Sequence, residues 1–195
     1  IPQIAELFPD AKFVMLFRNP LAVLSSISAT WCKGRLFSQK HQIDLKVGPY
    51  KLAEASRLLA DRAARVRYED LVTSPENALR GIFRYLELDY DPRVTETFSA
   101  VKLTGRMGDP TGTHRYQSLE VASLDRWKQS FDSRCRIAYA KRYLEELGDD
   151  VLATHGYDRL ALRRDLDRMR PRRYSTLGDM ADWLRQRWRR QKDGP

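Results

Sequence analysis

The sequence has few cysteines and histidines and no long hydrophobic run. Two of its 195 residues are cysteines and three are histidines. Cys32 and Cys135 are too few for a disulfide framework and lack the paired spacing of a zinc site, which favours a reducing compartment, although the two thiols can still pair. No apolar stretch approaches the roughly 18 residues that a membrane span needs. We therefore expect a cytoplasmic protein.

Several common signatures of catalysis are also absent. No GxxxxGK phosphate loop occurs in the sequence. His41, His114 and His155 are widely separated and have no metal-ligand spacing, so we expect no metal site. The chain begins with Ile1 and Pro2, without an initiator methionine or a signal peptide, and we interpret it as part of a longer protein.

Positive charge is plentiful and unevenly distributed. The chain has a formal net charge of +9, and residues 163–193 hold eleven basic and five acidic residues, a net +6. Within this tail, Thr176–Arg190 is predicted to be a helix with one apolar face, formed by Leu177, Met180, Ala181, Leu184 and Trp188. Such a helix can dock on a core, stay solvated or lie on an anionic membrane, and the first two are the more common outcomes.

The stretch AKFVMLFRNPLAVLSS is the most informative part of the sequence. It predicts a buried strand over Lys12–Phe17, followed by a helix with Asn19 as its N-cap and Pro20 at its first position. A helix N-terminus after a strand presents free N–H groups and a positive dipole end, which suit a phosphate or sulfate. Arg18 and Ser26 would add a planar cation and a hydroxyl to such an anion site.

A second strand and helix follow the same pattern. Arg65–Tyr68 is predicted to be a short strand, and the Ser74-Pro75 pair starts a helix that continues over Glu76–Leu86. Two strands that are each followed by a helix predict an α/β fold, with a parallel sheet flanked by helices. Further helices are predicted over Gly48–Ala64 and Cys135–Leu147, and Trp127 is expected in the core.

Together the two segments resemble the sulfotransferases that use 3′-phosphoadenosine 5′-phosphosulfate. In that family a strand ends in Arg-[Asp/Asn]-Pro and a serine lies eight residues beyond the arginine, and Arg18 and Ser26 fit this spacing. The resemblance implies that these two side chains hold the 3′-phosphate of the nucleotide. The family's Tyr-Glu-[Asp/Gln]-Leu signature matches the segment that starts at Tyr68, and the resemblance implies that this tyrosine approaches the adenine. It also makes Arg115 a candidate cofactor contact, in the loop before Trp127.

The resemblance also predicts what the chain lacks. The family's phosphosulfate loop and its usual catalytic base, a His or Glu, lie upstream of the Arg-x-Pro strand and have no counterpart here. We therefore expect a P-loop NTPase-like sulfotransferase fold that is incomplete at the N-terminus. Residues 1–160 would be the C-terminal part of a sulfotransferase domain and residues 161–195 a basic helical tail. By itself the chain would supply the 3′-phosphate and adenine half of the cofactor site and would be inactive.

The implied activity is transfer of a sulfuryl group to a hydroxyl or amine, with carbohydrates and other hydroxyl compounds as candidate acceptors. Arg18 could instead pair with Glu69, Ser26 could be an ordinary helix serine, and Tyr68 could belong to the core.

A different function class is a non-enzymatic domain whose basic tail binds nucleic acid or an anionic membrane. A nucleotide kinase of related architecture is disfavoured by the missing phosphate loop. Nucleic acid is the less expected partner, and a membrane surface is a candidate partner of the C-terminal basic helix.

Overall fold

The computed structural model describes residues 1–36, 41–96, 121–171, 173–175 and 177–181. The chain divides into two units, Ile1–Arg18 with Glu54–Leu124, and Asn19–Ala53 with Asp125–Pro195. The first unit contains the sheet, and the second contains the largest hydrophobic core.

The elements are helical for the most part. In chain order they are α1 (Pro2–Leu7), β1 (Phe13–Phe17), α2 (Pro20–Trp31), a π-helical turn (Ile43–Val47), α3 (Gly48–Leu58), a 3₁₀ turn (Ala60–Arg62), β2 (Ala63–Arg67), α4 (Tyr68–Thr73), α5 (Pro75–Leu86), α6 (Arg93–Glu96), a 3₁₀ helix (Val121–Ser130), α7 (Arg134–Thr154) and α8 (Arg159–Arg168). Residues 177–181 are also helical.

The sheet of the first unit is parallel. Strands β1 and β2 pair over five residues, from Phe13 opposite Ala63 to Phe17 opposite Arg67. Helices α4 and α5 follow β2 directly and pack against it. The predicted α/β fold, with parallel strands flanked by helices, is therefore confirmed.

The start of β2 differs from the prediction. The sequence predicts a helix to Ala64 and a strand from Arg65, but α3 ends at Leu58 and the strand begins at Ala63. Alanine is the strongest helix former, but helix propensity is a weak preference, and pairing with β1 overrides it. The Arg62 guanidinium also links the turn before β2 to the segment before β1. It donates to the carbonyls of Phe8 at 2.7 Å and Ala11 at 3.1 Å.

The end of β2 also differs. Tyr68 is the first residue of α4 and not the last residue of the strand. Arg67 pairs with Phe17, the last residue of β1, so no described strand partner continues beyond it. Glu69 and Asp70 then lie in the first turn of α4, where negative charge complements the helix dipole.

Strand β1 is buried on one face only. Met15 and Phe17 are buried, whereas Val14 and Leu16 are 43% and 50% exposed. This alternation follows the two-residue period of a strand. The prediction of a strand buried throughout is wrong on this point.

The second unit is built around helices α2 and α7. The predicted cap of α2 is present, because Asn19 Oδ1 accepts a hydrogen bond of 2.9 Å from the Leu21 amide. The helix predicted over Cys135–Leu147 lies within the longer α7, which is kinked at Gly148, where φ is +74°. Trp127 is 5% exposed and belongs to the core, as predicted.

Two predicted features lie outside the described residues in whole or in part. These are the loop that contains Arg115 and the tail helix beyond residue 181. In the part of the chain that the structure describes, none of the helices combines the length and the apolar character needed to cross a bilayer. The two cysteines are free thiols, and Cys32 is buried.

Candidate functional site

The two motifs of the sequence meet at one edge of the sheet. Phe17 and Arg67 are the last paired residues of β1 and β2, and Arg18 and Tyr68 come directly after them. Because parallel strands end at the same edge, both side chains start from equivalent positions there. In open α/β sheets, ligands bind outside the carboxyl ends of the strands. Arg18 and Tyr68 therefore occupy the edge where such a fold binds its ligand.

Arg18 and Tyr68 are in direct contact. The Arg18 guanidinium carbon lies 4.1 Å from the centre of the Tyr68 ring. Both side chains are partly buried. A guanidinium over an aromatic face is attracted by the ring quadrupole and uses none of its N–H donors as conventional hydrogen bonds in that contact. The contact with Tyr68 therefore holds the cation and leaves its N–H donors for other partners.

Arg18 has no anionic partner in the described part of the chain. It makes no hydrogen bond or ion pair with any described residue, so the alternative in which it pairs with Glu69 is not found. A partly exposed guanidinium that lacks such partners within the fold keeps its N–H donors for water or for an anion. The arrangement suits a phosphate or another oxyanion, which accepts two parallel N–H bonds from arginine.

A second arginine–tyrosine stack in the same unit provides a contrast. Arg80 lies 4.4 Å from the centre of the Tyr90 ring. Its Nε and Nη2 atoms both donate to Glu76 Oε1, at 2.9 and 2.8 Å. A stacked arginine in this unit can therefore be supplied with a carboxylate by its own helix. The described surroundings of Arg18 provide none.

Ser26 lies on α2, in the second unit. Of the three neighbouring serines of this helix, Ser25 and Ser28 are buried and Ser26 is exposed. Ser25 uses its hydroxyl inside the unit, where it lies 2.6 Å from the hydroxyl of Ser130. Ser26, which lies at the spacing that the motif requires, is thus the exposed serine of the three. Arg115, the fourth predicted cofactor contact, lies outside the described residues.

Sequence reasoning missed the stack between Arg18 and Tyr68. It treated the tyrosine as a neighbour of the adenine or as a core residue, and not as a partner of Arg18. The signal was nonetheless available, because two parallel strands that both end at a motif bring those motifs to one edge. The contact itself depends on β2 ending at Arg67, one residue earlier than predicted.

The family comparison agrees with this geometry. Residues 1–92 match the sulfotransferase family. The match covers just under half of the chain and includes Arg18, Ser26 and Tyr68, so the resemblance inferred from the two motifs is confirmed. It supports a transferase of the sulfotransferase type. No curated protein and no solved structure gives a significant match to the chain.

The chemistry of the candidate site comes from the Arg18 guanidinium. Among the described residues, no group of three or more histidine, cysteine, aspartate or glutamate side chains is placed to hold a metal ion. The guanidinium of Arg18 presents N–H donors whose planar arrangement matches the oxygens of an anion.

Proposed function

We propose that the protein is a sulfotransferase that takes its sulfuryl group from 3′-phosphoadenosine 5′-phosphosulfate and passes it to a hydroxyl or amine. The observation that carries this proposal is the Arg18–Tyr68 stack, whose cation has no anionic partner among the described residues. The sulfotransferase match over the same residues supports the choice of ligand.

In the proposed reaction the acceptor oxygen or nitrogen attacks the sulfur of the phosphosulfate. A new bond to sulfur forms as the bond between sulfur and the phosphate oxygen breaks, and the electron pair of that bond stays on the leaving adenosine bisphosphate. The acceptor loses its proton to a base. Such a transfer depends mainly on positioning and on stabilising the negative charge of the leaving group.

The proposed role of Arg18 is positioning. It would bind the 3′-phosphate, which does not react, and so fix the far end of the nucleotide. The charge-assisted hydrogen bonds of this contact contribute about 1.5–3 kcal/mol, or roughly ten- to a hundredfold in affinity. One face of the Tyr68 ring is used by Arg18, so the adenine would approach the other face or the ring edge. A role for Ser26 as a second phosphate contact rests on its motif spacing and its exposure.

Titration calorimetry tests the proposal. We expect the protein to bind adenosine 3′,5′-bisphosphate at least tenfold more tightly than adenosine 5′-phosphate, which lacks the 3′ group. In Arg18→Ala the two affinities should become equal. Arg80→Ala is the matched control, because it removes a stacked arginine that is already paired with Glu76, and it should keep the preference.

Two outcomes would contradict the proposal. One is a wild-type protein that binds both nucleotides equally. The other is an Arg18→Ala variant that retains the preference for the 3′-phosphate. Thermal unfolding of each variant, measured alongside, establishes that any loss of binding occurs in a folded protein.

A further inference from the structure

The C-terminal segment, defined here as residues 173–175 and 177–181, is attached to the start of α7. Its first residues form a short bridge in which the amides of Arg134 and Cys135 donate to the carbonyls of Arg173 and Tyr174, at 3.1 and 3.0 Å. Ser133 and Arg173 are the paired residues of this bridge. The segment is therefore held by its backbone just before the 177–181 helix begins.

The helical part is held by a buried ion pair. Arg136 Nε donates to Asp179 Oδ2 at 2.5 Å, and Arg136 Nη2 donates to Asp179 Oδ1 at 3.1 Å. The side chain of Asp179 is completely buried and that of Arg136 is 13% exposed. The inward side of this helix is therefore its acidic side.

The apolar residues of the segment are on the surface as a result. Tyr174 is 73% exposed, Leu177 is 87% exposed and Met180 is 50% exposed. An amphipathic helix that docks on a core buries its apolar stripe and exposes its charges. Here the order is reversed, because the aspartate is buried and the leucine and methionine face solvent.

Positive charge accompanies these exposed apolar side chains. Arg134 and Arg170 are exposed, and neither forms an ion pair with another described residue. Arg134 is connected to the segment by its own amide, and Arg170 lies three residues before Arg173 in the chain. Arg173 is paired with Asp132.

We propose that the exposed apolar surface formed by the side chains of Tyr174, Leu177 and Met180, assisted by the positive charges of Arg134 and Arg170, binds an anionic membrane. Aliphatic side chains enter the boundary between headgroups and acyl chains, a tyrosine suits that boundary, and arginines attract acidic lipids. The overall charge of +9 favours the same partner. Nucleic acid fits less well, since exposed leucine and methionine add nothing to phosphate contacts, which are made by cations and polar groups. This surface is separate from the cofactor role proposed for Arg18 and can be tested without it.

Vesicle co-sedimentation tests the apolar part of the surface. We expect the protein to bind vesicles of phosphatidylcholine with about 30% phosphatidylserine, and to bind phosphatidylcholine alone at least tenfold more weakly, because each basic residue near an anionic surface adds to the attraction. The double variant Leu177→Ser with Met180→Ser should lower binding to the mixed vesicles by about tenfold or more, as buried methylene groups are lost. Leu160→Ser is the matched control, because Leu160 is a 58% exposed leucine on α8 of the same unit, and it should bind like wild type.

A second set of vesicle-binding measurements tests the role of the arginine charges. Arg134→Gln with Arg170→Gln should weaken binding to the mixed vesicles more than Arg164→Gln with Arg168→Gln, which removes the same charge from exposed arginines that have nearby carboxylates. Both pairs of variants should unfold at the temperature of the wild type.

Three results would overturn the proposal. One is equal binding by wild type and by the Leu177→Ser, Met180→Ser variant. Another is an equal effect of the two pairs of arginine changes. The third is binding to a DNA duplex with no binding to mixed vesicles under the same salt conditions. The nucleotide titration above would be unaffected by any of these results, so the two proposals fail separately.

Discussion

Arg136 and Arg18 show two different uses of a guanidinium in one chain. Arg136 is almost fully buried and bonded to a buried carboxylate and to two backbone carbonyls, those of Ser130 at 3.0 Å and Gly34 at 2.7 Å. Arg18 is only partly buried, rests on the Tyr68 ring, and has no hydrogen-bond partner among the described residues.

The difference separates a structural arginine from one that is available to a ligand. When a buried guanidinium is bonded to buried partners, its removal leaves those partners unsatisfied and the fold is weakened. When the donors are unused within the fold, removal changes little in the fold and affects only the binding of a ligand.

The largest effect is expected from Arg136→Ala. Because Asp179 would remain buried without its counter-ion, the free energy of unfolding should fall by about 3–5 kcal/mol. Urea unfolding of the full chain measures this change. Replacing both partners, Arg136→Met with Asp179→Leu, should recover much of the loss, because no charge is then left buried. A loss below about 1 kcal/mol in the single variant would mean that the pair is not structural.

A smaller effect, on binding alone, is expected from Arg18→Lys. The charge is kept, but the planar fork and its contact with the Tyr68 ring are lost, so affinity for adenosine 3′,5′-bisphosphate should fall about tenfold. The free energy of unfolding should change by less than about 0.5 kcal/mol. Arg80→Lys serves as the control and should bind the nucleotide like wild type. Unchanged binding in Arg18→Lys would show that the guanidinium geometry is unimportant.

Changes at Tyr68 should have a still smaller effect. Tyr68→Leu removes the ring beneath Arg18 and should weaken nucleotide binding through that arginine by about 0.5–1 kcal/mol. Tyr68→Phe keeps the ring and separates stacking from any contact made by the hydroxyl. Calorimetric titration of both variants distinguishes these roles: equal losses in both would assign the effect to the hydroxyl and not to the stack.

The smallest effect concerns acid stability in the second unit. Burial alone would raise the pKa of Glu146, but hydrogen bonds and charge from Lys46 and Arg142 outweigh it and hold this pKa below its ordinary value of 4.5. A lowered folded pKa stabilises the protein above pH 4.5, and this contribution disappears as the pH falls through the lower folded value.

The measurement is urea unfolding of wild type and Glu146→Gln as a function of pH. Since these are surface ion pairs, the difference in free energy of unfolding should stay within about 1 kcal/mol above pH 4.5 and shrink below it. Glu6→Gln is the control for the loss of one carboxylate, because Glu6 is exposed and forms no ion pair with a described residue. A difference for Glu146→Gln that stays constant to the lowest pH would contradict the prediction.

Local signals determined much of the fold. The Asn19-Pro20 pair predicted the start of α2 correctly, because a side-chain oxygen at the cap and a proline that needs no N–H partner act within a few residues. The apolar period of residues 135–147 predicted α7, because residues three and four apart lie on one face of a helix. The order of two strands and two helices was sufficient to predict a parallel α/β arrangement, and the motif spacing was sufficient to predict the resemblance to the family that residues 1–92 match.

Tertiary structure decided the features that depend on a partner distant in sequence. β2 begins at Ala63 and ends at Arg67 because β1 offers five residues to pair with, and this boundary places Tyr68 under Arg18. The orientation of the 177–181 helix was decided by Arg136, about 40 residues away. Leaving a buried carboxylate without its counter-ion costs more free energy than leaving a leucine exposed to solvent. Composition and spacing along the chain identify candidate residues, and only the pairing of distant side chains determines which of them keep unused donors or an exposed apolar surface.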